Sequence, residues 1–191
     1  HEETYEIGIQ KYKNNETALR EDKLKVSKIS DFQYRPATCY IDTDCHRMFN
    51  RHSAERRKTL DWGTYHHEQA FASQWRQYQR ILKQRTAALF YAQSSDDLSI
   101  WDDQLCEAAS VIHKQRFEYF EKLLPFFEKT LDSLCHFSDE VSLVYNPGFP
   151  TEVKLKETLQ RHFFHDKKLL STGHGPHRAD FILKYKDKKI S

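Results

Sequence analysis

Residues 53–85, SAERRKTLDWGTYHHEQAFASQWRQYQRILKQR, form a long stretch without proline, and it limits the fold more than any other part of the chain. Ser53 is suited to cap a helix, and Glu55 sits in the first turn where the helix dipole favours an acid. Gly63 interrupts the pattern after Leu60-Asp61-Trp62, where a residue without Cβ allows the chain to bend or to pack closely, and the stretch reads as helix, bend, helix. Beyond it Phe71, Trp75, Tyr78, Leu82 and Leu89 recur at spacings of three, four and seven, which lays one apolar stripe along a second helix.

That stripe needs a partner. From Ile100 to Cys135 a second run places Trp101, Leu105, Ala108, Ile112, Tyr119, Leu123, Phe127, Leu131 and Leu134 near the same spacing. The polar turn Gln93-Ser94-Ser95-Asp96-Asp97 joins the two into an αα-hairpin, a helical arm. Pro125 lies inside the second run and predicts a kink or restart near Glu121 to Leu124.

Strands flank the arm. Residues 4–10 alternate, Asn14-Asn15 marks a turn, and Thr17 to Arg20 and Leu24 to Val26 extend a small antiparallel meander across a break at Glu21-Asp22-Lys23. One more strand is expected around Thr38 to Ile41, and Asp44 is placed to cap the segment leading to the arm. After the arm, Val141 to Tyr145 reads as a strand ended by Asn146-Pro147-Gly148, and 151–165 as a helix burying Val153, Leu155, Leu159, Phe163 and Phe164. The loop Ser171 to Asp180 then feeds a strand from Phe181 to Tyr185. The fold class is α+β: antiparallel strands at 1–50, a helical arm at 51–137 and a return to the strands at 138–191. The chain opens in a strand without methionine and closes within a hairpin, so it is expected to be a piece of a longer protein.

Composition narrows the function. No apolar run approaches the roughly 20 residues that span a bilayer, which places the chain in the cytoplasm. Cys39, Cys45, Cys106 and Cys135 form no CxxC pair and suit reduced thiols. Eleven histidines raise the question of a metal, but His66-His67, His162 with His165 and His174 with His177 lack the spacing of a structural zinc site. There is no GxSxG and no HExxH. The net charge of +2 is small, yet the positive charge is clustered at Arg56 and Arg57 and again at Arg76, Arg80 and Lys83, which share one helix face. That edge suits DNA phosphates; the competing reading is an ordinary solvated face. In the 171–180 loop, two glycines around His174 allow close backbone approach, and His177 and Arg178 present donors for a phosphate or carboxylate. The alternative there is a tight turn in which Arg178 pairs with Asp180 or Asp61.

Several blocks carry a resemblance. Glu55 to Gly63 (ERRKTLDWG), Tyr78 to Leu89 (YQRILKQRTAAL), Trp101 to Leu105 (WDDQL) and His174 to Asp180 (HGPHRAD) resemble, in the same order, the RecF family of bacterial DNA replication and repair proteins. The resemblance implies an ABC-type ATPase head with an inserted arm, binding ATP with Mg and dimerising around it. It implies binding to duplex DNA and to junctions with single strands, and work with RecR and RecO to load recombinase at gaps in recombination and the SOS response. Arg56, Arg57, Arg76, Arg80 and Lys83 are then the DNA-binding candidates, and His174, His177, Arg178 and Asp180 line a loop near the nucleotide or the packing of the head. No Walker A motif (GxxxxGK[ST]), Walker B strand or signature segment occurs in the 191 residues, so they are not expected to hydrolyse ATP alone or to need a cofactor. Thr43-Asp44 and Arg51-His52-Ser53 stand where the family has a proline and acid, then two glycines and a proline. The alternative function is a structural arm that docks a protein without touching DNA.

Overall fold

The computed structural model describes residues 6–27, 48, 53–134, 136 and 138–189. It divides into two compact units, residues 1–41 and 42–191. In the first, β1 (Ile7–Lys11), β2 (Thr17–Glu21) and β3 (Leu24–Val26) form the expected antiparallel meander, with Ile9 opposite Leu19 and Leu19 opposite Val26. Asp22 and Lys23 both take positive φ, 46° and 69°, the conformation that lets a two-residue turn follow the twist of its strands. The strand expected at 38–41, the Asp44 cap and Cys39, Cys45 and Cys135 lie outside the described residues.

The second unit is built on α1 (Ser53–His67), α2 (Phe71–Tyr91) and α3 (Ser99–Leu134). After these come β4 (Val141–Asn146), α4 (Leu155–Arg161), α5 (Phe163–Leu169), β5 (Asp180–Tyr185) and β6 (Lys188–Lys189). β4, β5 and β6 make an antiparallel sheet in which Leu143 faces Leu183. The αα-hairpin forms as the periodicity predicts. Phe71, Tyr78 and Ile81 of α2 pack on Leu105, Ala109 and Ile112 of α3, and Leu155 and Leu159 of α4 close that core. At the turn end Leu89, Ala92 and Leu98 meet Phe163. At the other end Leu60, Phe120 and Phe181 join α1 and α3 to the sheet.

Several expectations are decided or corrected. Of the two roles open to Gly63, a bend or close packing, the structure takes the second: α1 runs through it, and the break between the two helices falls at residues 68–70. A Cβ on Gly63 would lie 2.1 Å from the Tyr119 hydroxyl, so the missing side chain is what lets α3 approach α1. Of the kink or restart expected at Pro125, the restart does not occur, since α3 is one helix of 36 residues. Its proline falls beyond Phe120, the last fully buried residue of that helix, where the chain is mostly exposed. The helix expected at 151–165 starts at Leu155 and divides at His162 into α4 and α5, leaving Phe164 79% exposed instead of buried.

Candidate functional site

The 171–180 loop is held from four sides by charges that the apolar stripes bring inward. α5 ends at Leu170 in the left-handed conformation (φ 47°) and the Ser171 amide donates back to the Asp166 carbonyl. Gly148 (φ 87°) and Gly175 (φ 138°) meet backbone to backbone, the Gly175 amide donating to the Gly148 carbonyl at 3.0 Å. A Cβ on Gly148 would lie 2.4 Å from the Gly175 oxygen, so only glycine fits. Pro176, His177 and Arg178 follow as one tight helical turn.

Each helix of the arm sends an arginine to this loop. Arg85 of α2, fully buried, donates through Nε to Asp102 of α3 (2.6 Å) and through Nη1 to Asp166 of α5 (2.9 Å) and the Thr172 hydroxyl (2.8 Å). Asp166 also accepts from the Gly173 amide at 3.0 Å. Arg116 of α3 donates to Asp61 (2.8 Å) and to the Pro176 carbonyl (2.6 Å), with its guanidinium 4.6 Å from the centre of the Trp75 ring. Arg56 of α1 makes a two-pronged pair with Asp180, 2.7 and 2.8 Å, and a third bond to the Met48 carbonyl. That pair holds the Arg56 guanidinium above its ordinary pKa.

His177 locks the turn to α2. Its Nε2 lies 2.8 Å from the Thr172 carbonyl, which only accepts, so Nε2 carries the proton and Nδ1 accepts from the Tyr78 hydroxyl at 2.6 Å. Burial, followed by the Arg178 and Arg57 charges, lowers the imidazole pKa to about 4 against the opposing hydrogen bond that Nε2 donates to the Thr172 carbonyl, so the ring is neutral near pH 7. His174 lies against His162 with ring centres 4.3 Å apart and the rings tilted by 48°, and burial and that neighbour lower its pKa as well.

The site residues read from the sequence therefore separate. Arg56, His177 and Asp180 turn their polar atoms inside the fold, Arg56 to Asp180 and His177 to Tyr78 and Thr172. Arg178 pairs with neither Asp180 nor Asp61, which belong to Arg56 and Arg116; it donates to the Ser171 hydroxyl at 3.1 Å and is otherwise exposed. Arg57 is half-buried and donates Nη1 to the Ala179 carbonyl at 3.0 Å. Arg76, Arg80 and Lys83 are exposed on α2 and have no ion pair among the described residues. α2 carries no acid at all.

Arg85, Arg116, Asp102 and Asp166 were not foreseen as a group. The signal was present, since Arg85 follows Tyr78 and Ile81 by seven and four residues and Arg116 follows Ile112 by four. A cation at an inward position of an apolar stripe requires a buried acid. Cys106 is half-buried, and burial together with Asp102 and Asp103 pushes its thiol up to about 11, which leaves no nucleophile there. Among the described residues no group of three or more His, Cys, Asp or Glu could hold a metal, and no helix is long and apolar enough to cross a membrane.

No family model matches the chain. It is 35% identical over 181 residues to the DNA replication and repair protein RecF of Psychromonas ingrahamii, a match covering 93% of this chain and 50% of that protein. It is 33% identical over 180 residues to RecF of Haemophilus influenzae, covering 94% and 50% respectively. The chain thus spans about half the length of the curated relatives it matches. Among solved structures it superposes on the recombination mediator protein RecF-ATPrS of the RecFOR pathway with a TM-score of 0.79 and 25% identity, over 97% of this chain and 53% of that one. The RecF-ATP structure of the same pathway matches with a TM-score of 0.76. The α+β plan expected from the sequence, part of an ABC-type ATPase fold, stands.

Proposed function

We infer, from a chain that is RecF-like along almost its whole length, that these residues serve DNA replication and recombinational repair, and that the outward face of α2 tracks duplex DNA phosphates. The observation that carries this is a helix with Arg76, Arg80 and Lys83 exposed, unpaired among the described residues, and without one acid to repel a phosphate. Between them lie Gln77 and Gln79, and Gln84 follows, neutral donors suited to the same backbone. Contacts of this kind bind without reading bases and extend to junctions between double and single strands.

The names of the similar proteins, a DNA replication and repair protein and a recombination mediator of the RecFOR pathway with ATP, support extending the proposal to the parent protein. We propose further, on the family resemblance alone, that its head binds ATP with Mg, dimerises around it, and acts with RecR and RecO to load recombinase at gaps in the cytoplasm. Of the four loop residues linked to a nucleotide, His174 is half-buried and Arg178 exposed, and both keep access to solvent; His177 and Asp180 act by holding the turn in shape.

The test is duplex binding by this chain and by the triple variant Arg76→Glu, Arg80→Glu, Lys83→Glu across about 50 to 200 mM salt. The variant is expected to bind more weakly and to flatten the slope of log K against log salt by about three, roughly 0.9 for each cation. An unchanged slope rejects the reading.

One observation favours a second reading, an arm that docks protein. At the turn end of the hairpin Phe90, Tyr91 and Ile100 are 64, 78 and 69% exposed, beside a groove of about 570 Å³ lined by Ala87, Ala88, Tyr91 and Trp101. Duplex binding that ignores the α2 cations, with loss of a partner on Tyr91→Ser, is the result that moves the function there.

A further inference from the structure

The turn at Pro176–Arg178 is surrounded by more cations than the nearby acids neutralise. Arg56 takes both oxygens of Asp180, and Asp61 is taken by Arg116. On the opposite side of the loop Asp166 and Asp102 are both taken by Arg85. Arg57 and Arg178 are left without a carboxylate in contact among the described residues. They are also the two of these five arginines that reach solvent.

The same short segment fixes both. Arg57 leans on the Ala179 carbonyl at 3.0 Å, next to the Arg178 backbone, and Arg178 leans on the Ser171 hydroxyl at 3.1 Å. Each keeps guanidinium nitrogens that have no partner among the described residues. Burial, helped by the Arg116 and Arg178 charges, lowers the Arg57 pKa against the pull of Asp180 and Asp61. Two like charges held together on a rigid turn are a cost to the fold, and the species that relieves it is an oxyanion with several acceptor oxygens. The neighbouring His177 adds no charge, since its ring is held neutral.

We propose that Arg57 and Arg178 together form one phosphate-binding site on the face of the 171–180 turn, separate from the α2 face and occupied by a terminal or bridging phosphate group. Such a group comes from two sources, a free polyphosphate such as the tail of a nucleoside triphosphate or the backbone of DNA. The site stands without the reading of α2, because none of its residues lies on that helix.

The probe is inorganic tripolyphosphate, titrated calorimetrically into this chain at low salt. Arg178→Gln and Arg57→Gln are each expected to weaken it by about tenfold or more, the loss of one charge-assisted contact. Lys129→Gln, exposed on α3 and outside both basic surfaces, is expected to leave it unchanged. Because Arg178 is exposed, its variant is expected to melt as the parent does, and it alone decides the matter should Arg57→Gln disturb the fold. Displacement of bound tripolyphosphate by a short duplex assigns the phosphate to DNA; failure to displace assigns it to free polyphosphate. No binding, or equal affinity in Arg178→Gln, overturns the site. Duplex binding lost only with the α2 substitutions leaves the site intact and speaks to the other surface.

Discussion

α2 and α3 are the two halves of one hairpin, and they differ in only one respect that matters. Both bury a stripe of apolar residues against each other, and both turn one arginine inward, Arg85 from α2 and Arg116 from α3. Outside they diverge. α2 exposes Arg76, Arg80 and Lys83 and no acid, whereas α3 exposes Asp103, Glu107, Glu118, Glu121, Glu128 and Asp132 with Lys114, Lys122 and Lys129 among them. Packing cannot account for this, because it acts on the inner faces and those are alike. The basic outer face of α2 is therefore free of the fold and open to selection for a ligand, while α3 carries the mixed charge of an ordinary solvated helix.

The comparison breaks if inner and outer cations weigh the same. Arg85→Ala leaves Asp102 and Asp166 buried without their cation, and urea unfolding is expected to show a loss of about 3–5 kcal/mol. A loss below about 1 kcal/mol, the worth of a surface pair, puts Arg85 in the same class as its exposed neighbours.

Next in size is the pH response of the turn that both helices hold. An unfolded histidine gains its proton near 6.5, whereas His177 in the fold does so at about 4. Between those values the unfolded chain binds more protons, so the His177 contribution is complete above about 6.5 and is lost as pH falls toward 4. From pH 7 to 4.5 the parent is expected to lose about 2–3 kcal/mol more than His177→Gln, measured by paired urea titrations. Parallel losses in the two proteins mean that the ring is not held neutral.

The approach of α1 to α3 gives a smaller effect. In Gly63→Ala the new methyl meets the Tyr119 ring, and the expected loss is about 1–3 kcal/mol, partly offset by the better helix propensity of alanine. Tyr119→Leu in the same chain is expected to recover most of it by thermal melting; no recovery locates the strain elsewhere. The smallest change is expected for Arg76→Gln, Arg80→Gln and Lys83→Gln, each within about 0.5 kcal/mol in stability. That result, beside weakened duplex binding, states the difference between the two faces of α2 most sharply.

The hairpin and the amino-terminal meander were legible in the sequence because each rests on a period, 3.6 or 2, that survives any partner. What escaped depends on partners distant in sequence. Gly63 suits a bend or a close approach alike, and only the Tyr119 ring, 56 positions later, decides for the approach. Arg56 and Arg57 look like one basic pair, yet successive residues on a helix point about 100° apart. One turns inward to Asp180 and the other reaches the surface. The division of α4 from α5 at His162 has no proline or glycine to announce it.

Because the Tyr119 ring lies against the α1 backbone at Gly63, and Arg56 two turns earlier grips the first residue of β5, α1 behaves as a strut pinned at two points. Close-packed interiors deform little, so the Tyr119 contact and the Asp180 pair tie α3, α1 and the start of β5 into one stiff corner where the turn joins the sheet.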